Sequence, residues 1–368
     1  MNILILANHQ TGLYKFRKEL LEALVRFDHK VYVSVPEYIY TERLKKIGVT
    51  VIRDDRLDRH GTNPIKDINL YRYYKCLLKQ LNPDVVLTYT IKPNVYGGYA
   101  CRRCRIPYIA NVTGLGTSIK NGGLIQKVIL LMYRSGLKGA KKVFFQNSEN
   151  LDYMISNGIV DRDITDLLPG SGVNTDEHIY EVYPSSDDHV IFTIIGRIMK
   201  DKGIDEVLSA AEVLRKNYPF TEFRLIGDFD EEYADIVKEY ENRGCVKYLG
   251  YHDNVHQYIA ESHAIIHASY HEGMSNVLQE AASSGRPVIA TNVHGCKEIF
   301  DPDVTGIAFE PRSSEALVNA VERFLSLTHE QKEQMGRLGR EKMVREFDRG
   351  IVVGKYICEL NGLMKKED

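Results

Sequence analysis

The chain has 368 residues, 43% hydrophobic and 27% charged, with a formal net charge of −2. One ordinary core does not extend over that length, so two domains are expected. The composition is that of a soluble globular protein, and no apolar run approaches the roughly 18 residues of a spanning helix, which excludes a helical membrane-embedded chain.

In chain order, the opening MNILILANHQ reads as a strand; it lacks the basic leader of a signal peptide and soon turns polar. Strand-like runs at 3–7, 31–35, 49–53, 85–89, 108–112 and 143–146 alternate with helical periodicity at 13–25, 38–46, 66–81, from about 94, at 124–137 and from 148. A polar, proline-containing stretch without periodicity, 180–188 (YEVYPSSDD), reads as a join. Beyond it, strands at 190–195, 223–226, 246–249, 264–267, 288–290 and 306–309 alternate with helices at 203–217, 231–242, 254–261, 276–284 and 314–327, and helical segments fill 330–366. Continuous apolar strands between amphipathic helices specify parallel sheets covered on both faces, hence an α/β chain of two similar halves. The expected domains are residues 1–180 and 181–347. Such sheets bind ligands at the carboxyl ends of their strands, so two sheets facing each other would form a cleft.

Charge is unevenly shared. Residues 1–175 carry 26 Lys+Arg against 15 Asp+Glu, and the remainder 22 against 35; from Val85 to Ser148 there are ten basic residues and no acidic one. A basic half attracts an anionic partner, and the bland alternative is a solvated basic face. Six scattered cysteines (Cys76, Cys101, Cys104, Cys245, Cys296 and Cys358) fit a reducing cytoplasm, and CRRC at 101–104 has no second pair at metal-ligand spacing.

No phosphate-binding P-loop string occurs, and the GLG at 114–116 lacks the third glycine of a dinucleotide fingerprint. Asp-x-Asp strings at 161–163, 228–230 and 301–303 read as loop acids rather than metal ligands. The informative constellation lies elsewhere. A strand ending at Arg197 precedes Lys202-Gly203 at a helix start, and HEGMSNVLQEAASSGRP (271–287) holds Glu272 and Glu280 with seven residues between them. Arg supplies a fork that matches phosphate oxygens, Lys a mobile charge, and a helix start further amides for an anion. Carboxylates accept from vicinal diols, and Gly273 permits close backbone approach. A cationic pair and a carboxylate pair at two strand-to-helix junctions suit an anionic diphosphate flanked by hydroxyl-rich rings. Eight positions along a turn and helix are too many for the roughly 5 Å carboxyl separation of a retaining hydrolase.

HEGMSNVLQEAASSGRPVIATNVHGCKEI, with IGRIMKDKGID upstream, resembles family 4 glycosyltransferases of the GT-B fold; TYTIKPNVYGG and NVTGLGTS are similar to the bacterial polysaccharide and lipid-linked-oligosaccharide branch. The resemblance implies two Rossmann-like domains facing across a cleft, with a C-terminal helix (about 348–368) crossing back to the first. It implies a retaining transferase, metal-free and without cofactor, that moves a sugar, a hexosamine or related hexose, from a UDP-sugar to a glycan acceptor. The implied acceptor is an undecaprenyl-diphosphate-linked saccharide of capsule, O-antigen, exopolysaccharide or glycoprotein glycan assembly. Carried onto this chain, Arg197 and Lys202 bind the donor diphosphate and Glu272 faces the transferred sugar. Gly273, Met274, Ser275 and Asn276 lie beside that sugar, and Glu280 holds the ribose. Gly12, Gly196 and Gly227 complete the donor-binding set. His9, Asn94, Thr113 and Gly114 fall on the acceptor side. The histidine that many relatives carry after the fourth strand is replaced here by TIKPN, so Lys92 is the substitute candidate. A sugar-nucleotide 2-epimerase of the same architecture and a noncatalytic sugar-nucleotide-binding protein are the alternatives. Aromatic-interleaved nucleic-acid motifs are missing. The implied place is cytoplasmic, peripheral on the inner face of the membrane, with anionic lipid attracting the basic segment 124–142.

Overall fold

Residues 3–6 are completely buried in succession, the mark of a strand packed on both faces. They lie in β1 of a computed structural model that describes residues 1–36, 39–57, 63–115, 123–186, 188–230 and 232–364. The chain divides into two compact units, Met1–Ser171 together with Arg349–Asp368, and Gly172–Asp348.

The first unit runs β1 (Asn2–Leu6), α1 (Gln10–Arg26), β2 (Lys30–Val35), α2 (Thr41–Ile47), β3 (Thr50–Arg53), α3 (Pro64–Leu81) and β4 (Val85–Tyr89). A wide turn at Pro93–Gly97 leads into α4 (Gly98–Cys104), followed by β5 (Tyr108–Val112), α5 (Gly123–Leu137), β6 (Lys142–Phe145), α6 (Ser148–Ser156) and β7 (Thr165–Leu167). The sheet order is β3-β2-β1-β4-β5-β6-β7, all parallel, with the switch point between β1 and β4. Local chemistry sets the boundaries. Asn63 caps α3 with Pro64 at its first position, and Asn82 in the left-handed region ends it before Pro83.

The second unit comprises β8 (Val190–Ile195), α7 (Ile204–Asn217), β9 (Thr221–Ile226), α8 (Ala234–Asn242), β10 (Lys247–Tyr248), α9 (His256–Glu261), β11 (Ala264–His267), α10 (Asn276–Ser283), β12 (Val288–Thr291), β13 (Gly306–Phe309), α11 (Ser314–Ser326) and α12 (His329–Lys342). Its order, β10-β9-β8-β11-β12-β13, is again parallel, with the switch point between β8 and β11.

Three details depart from the sequence reading. The edge strand β7 was not expected, since Thr165-Asp166-Leu167 is short and only half-buried. The helix expected over 38–46 starts at Thr41, with residue 38 outside the described part. The stretch 180–188 lies within the second unit, where Arg286 donates to the carbonyls of Glu181 (2.8 Å) and Val182 (2.7 Å); the chain passes between units at 171–172 and 348–349.

The final helix, α13 (Arg349–Met364), belongs to the first unit. Val352, Tyr356 and Leu360 are buried among residues of β1, β2, β4 and α1. Arg349, itself buried, donates to Glu19 Oε2 at 2.9 Å, and Lys355 to Asp166 Oδ2 at 2.9 Å. Tyr356 packs on Phe144 with ring centroids 4.9 Å apart and accepts from Asn111. Leu360→Ala should therefore cost about 2–5 kcal/mol of first-unit stability. Ile351→Ala, at a 37% exposed position, should stay within about 0.5 kcal/mol in the same urea titration.

Candidate functional site

The second sheet's switch point gathers the predicted cations and the first carboxylate. Strand β8 ends at Ile195, and Gly196-Arg197 follows; β11 ends at His267, and the turn 268–275 carries Glu272 to the start of α10. Lys202 Nζ lies 2.5 Å from Glu272 Oε1, and His267 Nε2 lies 2.8 Å from the same oxygen. Lys202, His267, Arg197 and Gly196 line one pocket together with Ala268 and apolar residues of β8 and β9. Burial alone would raise the Glu272 carboxyl; the Lys202 ammonium and the His267 hydrogen bond outweigh it and hold the group well below the usual carboxylate range.

Backbone constraints keep these groups together. Gly203 has φ +69°, and a Cβ there would stand 2.2 Å from the Ala268 carbonyl oxygen, so the Lys202 turn lies directly on the loop after β11. Tyr270 N donates to Asp201 O at 2.9 Å across the same junction. Gly227 has φ +148°, and a Cβ there would meet Gly196 O at 1.8 Å, which seats the loop after β9 against the loop after β8. Ile198 N then donates to Asp228 O (2.8 Å) and Asp230 N to Ile198 O (3.2 Å). That ladder sets Asp230 beside Arg197, and the two form an exposed ion pair.

The remaining donor-side candidates divide. Ser275 caps α10, its Oγ accepting from Leu278 N at 3.4 Å. The Ser275 amide donates to Gly295 O at 2.8 Å, so it is not among the amides offered to a ligand. Met274 is buried in the apolar cluster beneath α10, so its side chain packs rather than binds. Gly273 and Asn276 are half-buried at the turn, and Glu280 is half-buried in the second turn of α10.

In the first unit the sequence reading needs more correction. Asn94 is fully buried; it donates to Asn111 O at 2.8 Å and accepts from Thr88 at 2.7 Å, so it ties β4 to β5 and does not face an acceptor. Lys92 is paired with Asp67 at 2.7 Å with 15% of its side chain exposed, and Tyr96 donates to the other Asp67 oxygen at 2.8 Å. This brace between α3 and the loop after β4 does not present Lys92 as a replacement for the family histidine. Gly12 lies in the first turn of α1, not in a loop, and its amide donates to the capping His9 Nδ1 at 3.0 Å. Thr113 and Gly114 are half-buried after β5, and residue 116 lies outside the described part. Among the described residues, no three His, Cys, Asp or Glu side chains cluster as a metal site.

Sequence reasoning missed His267 and Asp230. A histidine closing an apolar strand reads as core, yet its place at a carboxyl end beside the switch point was available as a signal. Asp230 was weighed only as half of a metal motif.

Two family descriptions match the chain: Glycosyl transferases group 1 over residues 176–342 and Glycosyl transferase 4-like over residues 2–147. The chain belongs to the glycosyltransferases. Among curated relatives, an N,N'-diacetylbacillosaminyl-diphospho-undecaprenol alpha-1,3-N-acetylgalactosaminyltransferase of Campylobacter jejuni is 25% identical, with 97% of both chains covered. An Escherichia coli UDP-Gal:alpha-D-GlcNAc-diphosphoundecaprenol alpha-1,3-galactosyltransferase is 23% identical over 70% of each chain. Among solved structures, Anabaena Alr3699/HepE in complex with UDP and glucose shares the fold at a TM-score of 0.78 and 18% identity, covering 98% of this chain and 99% of that one. The glycosyltransferase thus has two Rossmann-like domains with structural neighbours of the GT-B class.

Gly203→Ala tests the junction that holds Lys202. Left-handed strain plus the clash with Ala268 should lower stability by at least about 2 kcal/mol. Gly244→Ala, with φ +70° but open space around it, should lose only about 1 kcal/mol in urea denaturation.

Proposed function

We propose that this glycosyltransferase moves a hexosamine or related hexose, with retention, from a UDP-sugar to a saccharide linked to undecaprenyl diphosphate in bacterial surface-glycan assembly. The observation that carries the reading is the convergence of Arg197, Lys202 and Glu272 at the carboxyl ends of β8 and β11. The lipid-diphosphate acceptors and the UDP-galactose donor in the names of two relatives support it.

Arg197 and Lys202 hold the donor diphosphate, Glu272 accepts from hydroxyls of the transferred sugar, and Glu280 from the ribose diol. The acceptor hydroxyl attacks the anomeric carbon from the face that UDP leaves. The new carbon–oxygen bond forms as the bond to the β-phosphate oxygen breaks, and the bonding pair goes to that oxygen. The hydroxyl proton passes to a phosphate oxygen of the departing UDP, while Arg197 and Lys202 offset the growing charge. No metal and no further cofactor enters this scheme. A thermal-shift comparison of UDP-, GDP- and dTDP-sugars should show UDP-sugars alone stabilising the protein, by about 2.7 kcal/mol at a hundredfold excess over Kd. Glu272→Ala should keep its fold and lose about 10²–10³-fold in transfer. Wild-type turnover of the Glu272→Ala variant would refute the role, and conversion of UDP-N-acetylglucosamine without acceptor would favour an epimerase.

The proposed place of action is an anionic membrane surface. Helix α5 buries Leu130, Tyr133 and Leu137 in the first unit's core and turns Lys127, Val128, Leu131 and Arg134 outward, with Lys138 exposed just beyond its end. Val128 and Leu131 are 48% and 63% exposed, an apolar pair framed by cations that matches a headgroup layer. No helix among the described residues is long and apolar enough to cross a membrane. Cosedimentation with vesicles containing phosphatidylglycerol should be strong at low salt and absent at high salt. Replacing Lys127, Arg134 and Lys138 together by Glu should weaken it by at least about a hundredfold, at about 1 kcal/mol per basic residue. Salt-insensitive binding, or binding unchanged in the triple variant, would overturn this placement.

A further inference from the structure

Lys202 has two calls upon it. In the structure its ammonium rests on Glu272, while the donor reading requires it on a diphosphate. Its backbone cannot carry the change. Residues 200–202 form a tight turn locked by Gly203 against Ala268 and by the Tyr270–Asp201 hydrogen bond. Only the flexible four-carbon stem is left to move. Once the ammonium leaves, Glu272, with 14% of its side chain exposed, loses this ion pair, and withdrawing an ion-pair partner from a buried carboxylate is unfavourable.

His267 is built to meet that moment. It closes β11, so the sheet fixes its backbone, and 7% of the residue is exposed. Its Nε2 lies 2.8 Å from Glu272 Oε1, the oxygen that Lys202 also contacts. A carboxylate only accepts, so Nε2 carries the proton of this bond. Ser275 Oγ stands 3.3 Å from the same nitrogen, against the start of α10.

We propose that His267 is a positioning residue: its N–H keeps the Glu272 carboxylate hydrogen-bonded and aimed while Lys202 transfers from Glu272 to the diphosphate of the incoming nucleotide. The inference rests on the donor reading above. It makes nucleotide affinity depend on how readily Glu272 releases Lys202, although UDP itself lacks the sugar that Glu272 faces.

Titration calorimetry with UDP on the full chain tests it, with circular dichroism confirming the fold of each variant. His267→Leu removes the donor and should weaken UDP binding by about tenfold or more, because Glu272 then retains Lys202. Glu272→Gln should bind UDP at least as tightly as the wild type. In the Glu272→Gln background, His267→Leu should change UDP affinity less than about twofold. His267→Gln, which keeps an N–H near the Nε2 position, should restore affinity to within about threefold of the wild type. If His267→Leu does not fold, His267→Asn, too short to reach Oε1, replaces it in the same cycle. Equal losses with and without the Glu272 charge would overturn the inference and leave His267 a packing residue, as would wild-type UDP affinity in His267→Leu. If the wild type binds no UDP while folded, the donor reading fails and this inference falls with it; if it binds UDP and the cycle shows no coupling, the inference alone fails.

Discussion

A carboxylate withdrawn from water governs the second unit. An ammonium and an imidazole N–H meet one oxygen of Glu272 and stabilise its charge there. Each partner arrives from a different element, Lys202 from the turn before α7 and His267 from the end of β11, so the charge ties two loops across the switch point. The glycines follow from the same demand. Gly203 lets the lysine turn lie on Ala268, and Gly295, with φ +87°, lets its own loop touch the Glu272 backbone. Any Cβ at either position would push the charges apart.

The two sheets share a strand order apart from the extra edge strand β7, but their central strands are flanked by different chemistry. In the second, the point between β8 and β11 is charged and lined by a pocket. In the first, the region near β4 and β5 is filled by neutral polar groups hydrogen-bonded in series: Thr88 with Asn94, Asn94 with the Asn111 carbonyl, and the Asn111 side chain with Tyr356 of the last helix. Arg17, buried over the Tyr89 ring, adds a cation–π contact to that set. This network joins α13 to the sheet, and it removes Asn94 from any ligand-binding role. Asn111 thus links the two, its carbonyl accepting from Asn94 and its side chain donating to Tyr356.

The fold was readable because the strands are continuous apolar runs and the helices carry their own caps, as at Asn63, Ser275 and Thr328. What failed had weak local signals. Strand β7 is three half-buried residues at a sheet edge, and β10 keeps only Lys247 and Tyr248 of an expected 246–249. In the site, Arg197, Lys202 and Glu272 were legible because cations and a carboxylate at strand-to-helix junctions are unusual in combination. Lys92 and Asn94 misled because a residue's place on a loop says nothing of its partner; Asp67, in α3 and 25 positions upstream, decides where Lys92 points. His267 was passed over because a histidine closing an apolar strand reads as core.

The two cations proposed to bind phosphate are restrained to different degrees. Arg197 pairs with Asp230, and about half of each side chain is exposed (53% and 46%). Such a pair contributes about 0–1 kcal/mol and yields readily to a doubly charged phosphate group. Lys202 and Glu272 are 25% and 14% exposed, where separation is far less favourable unless the carboxylate keeps another donor. A guanidinium that is easily recruited and an ammonium released only against a compensating hydrogen bond favour an order of events. On the proposed donor reading, the arginine captures the diphosphate, and the lysine follows when the ligand's charge matches what Glu272 gives up. On the same reading, selectivity for a diphosphate over a monophosphate arises from the second step, since a single phosphate satisfied by Arg197 offers less attraction to draw Lys202 away.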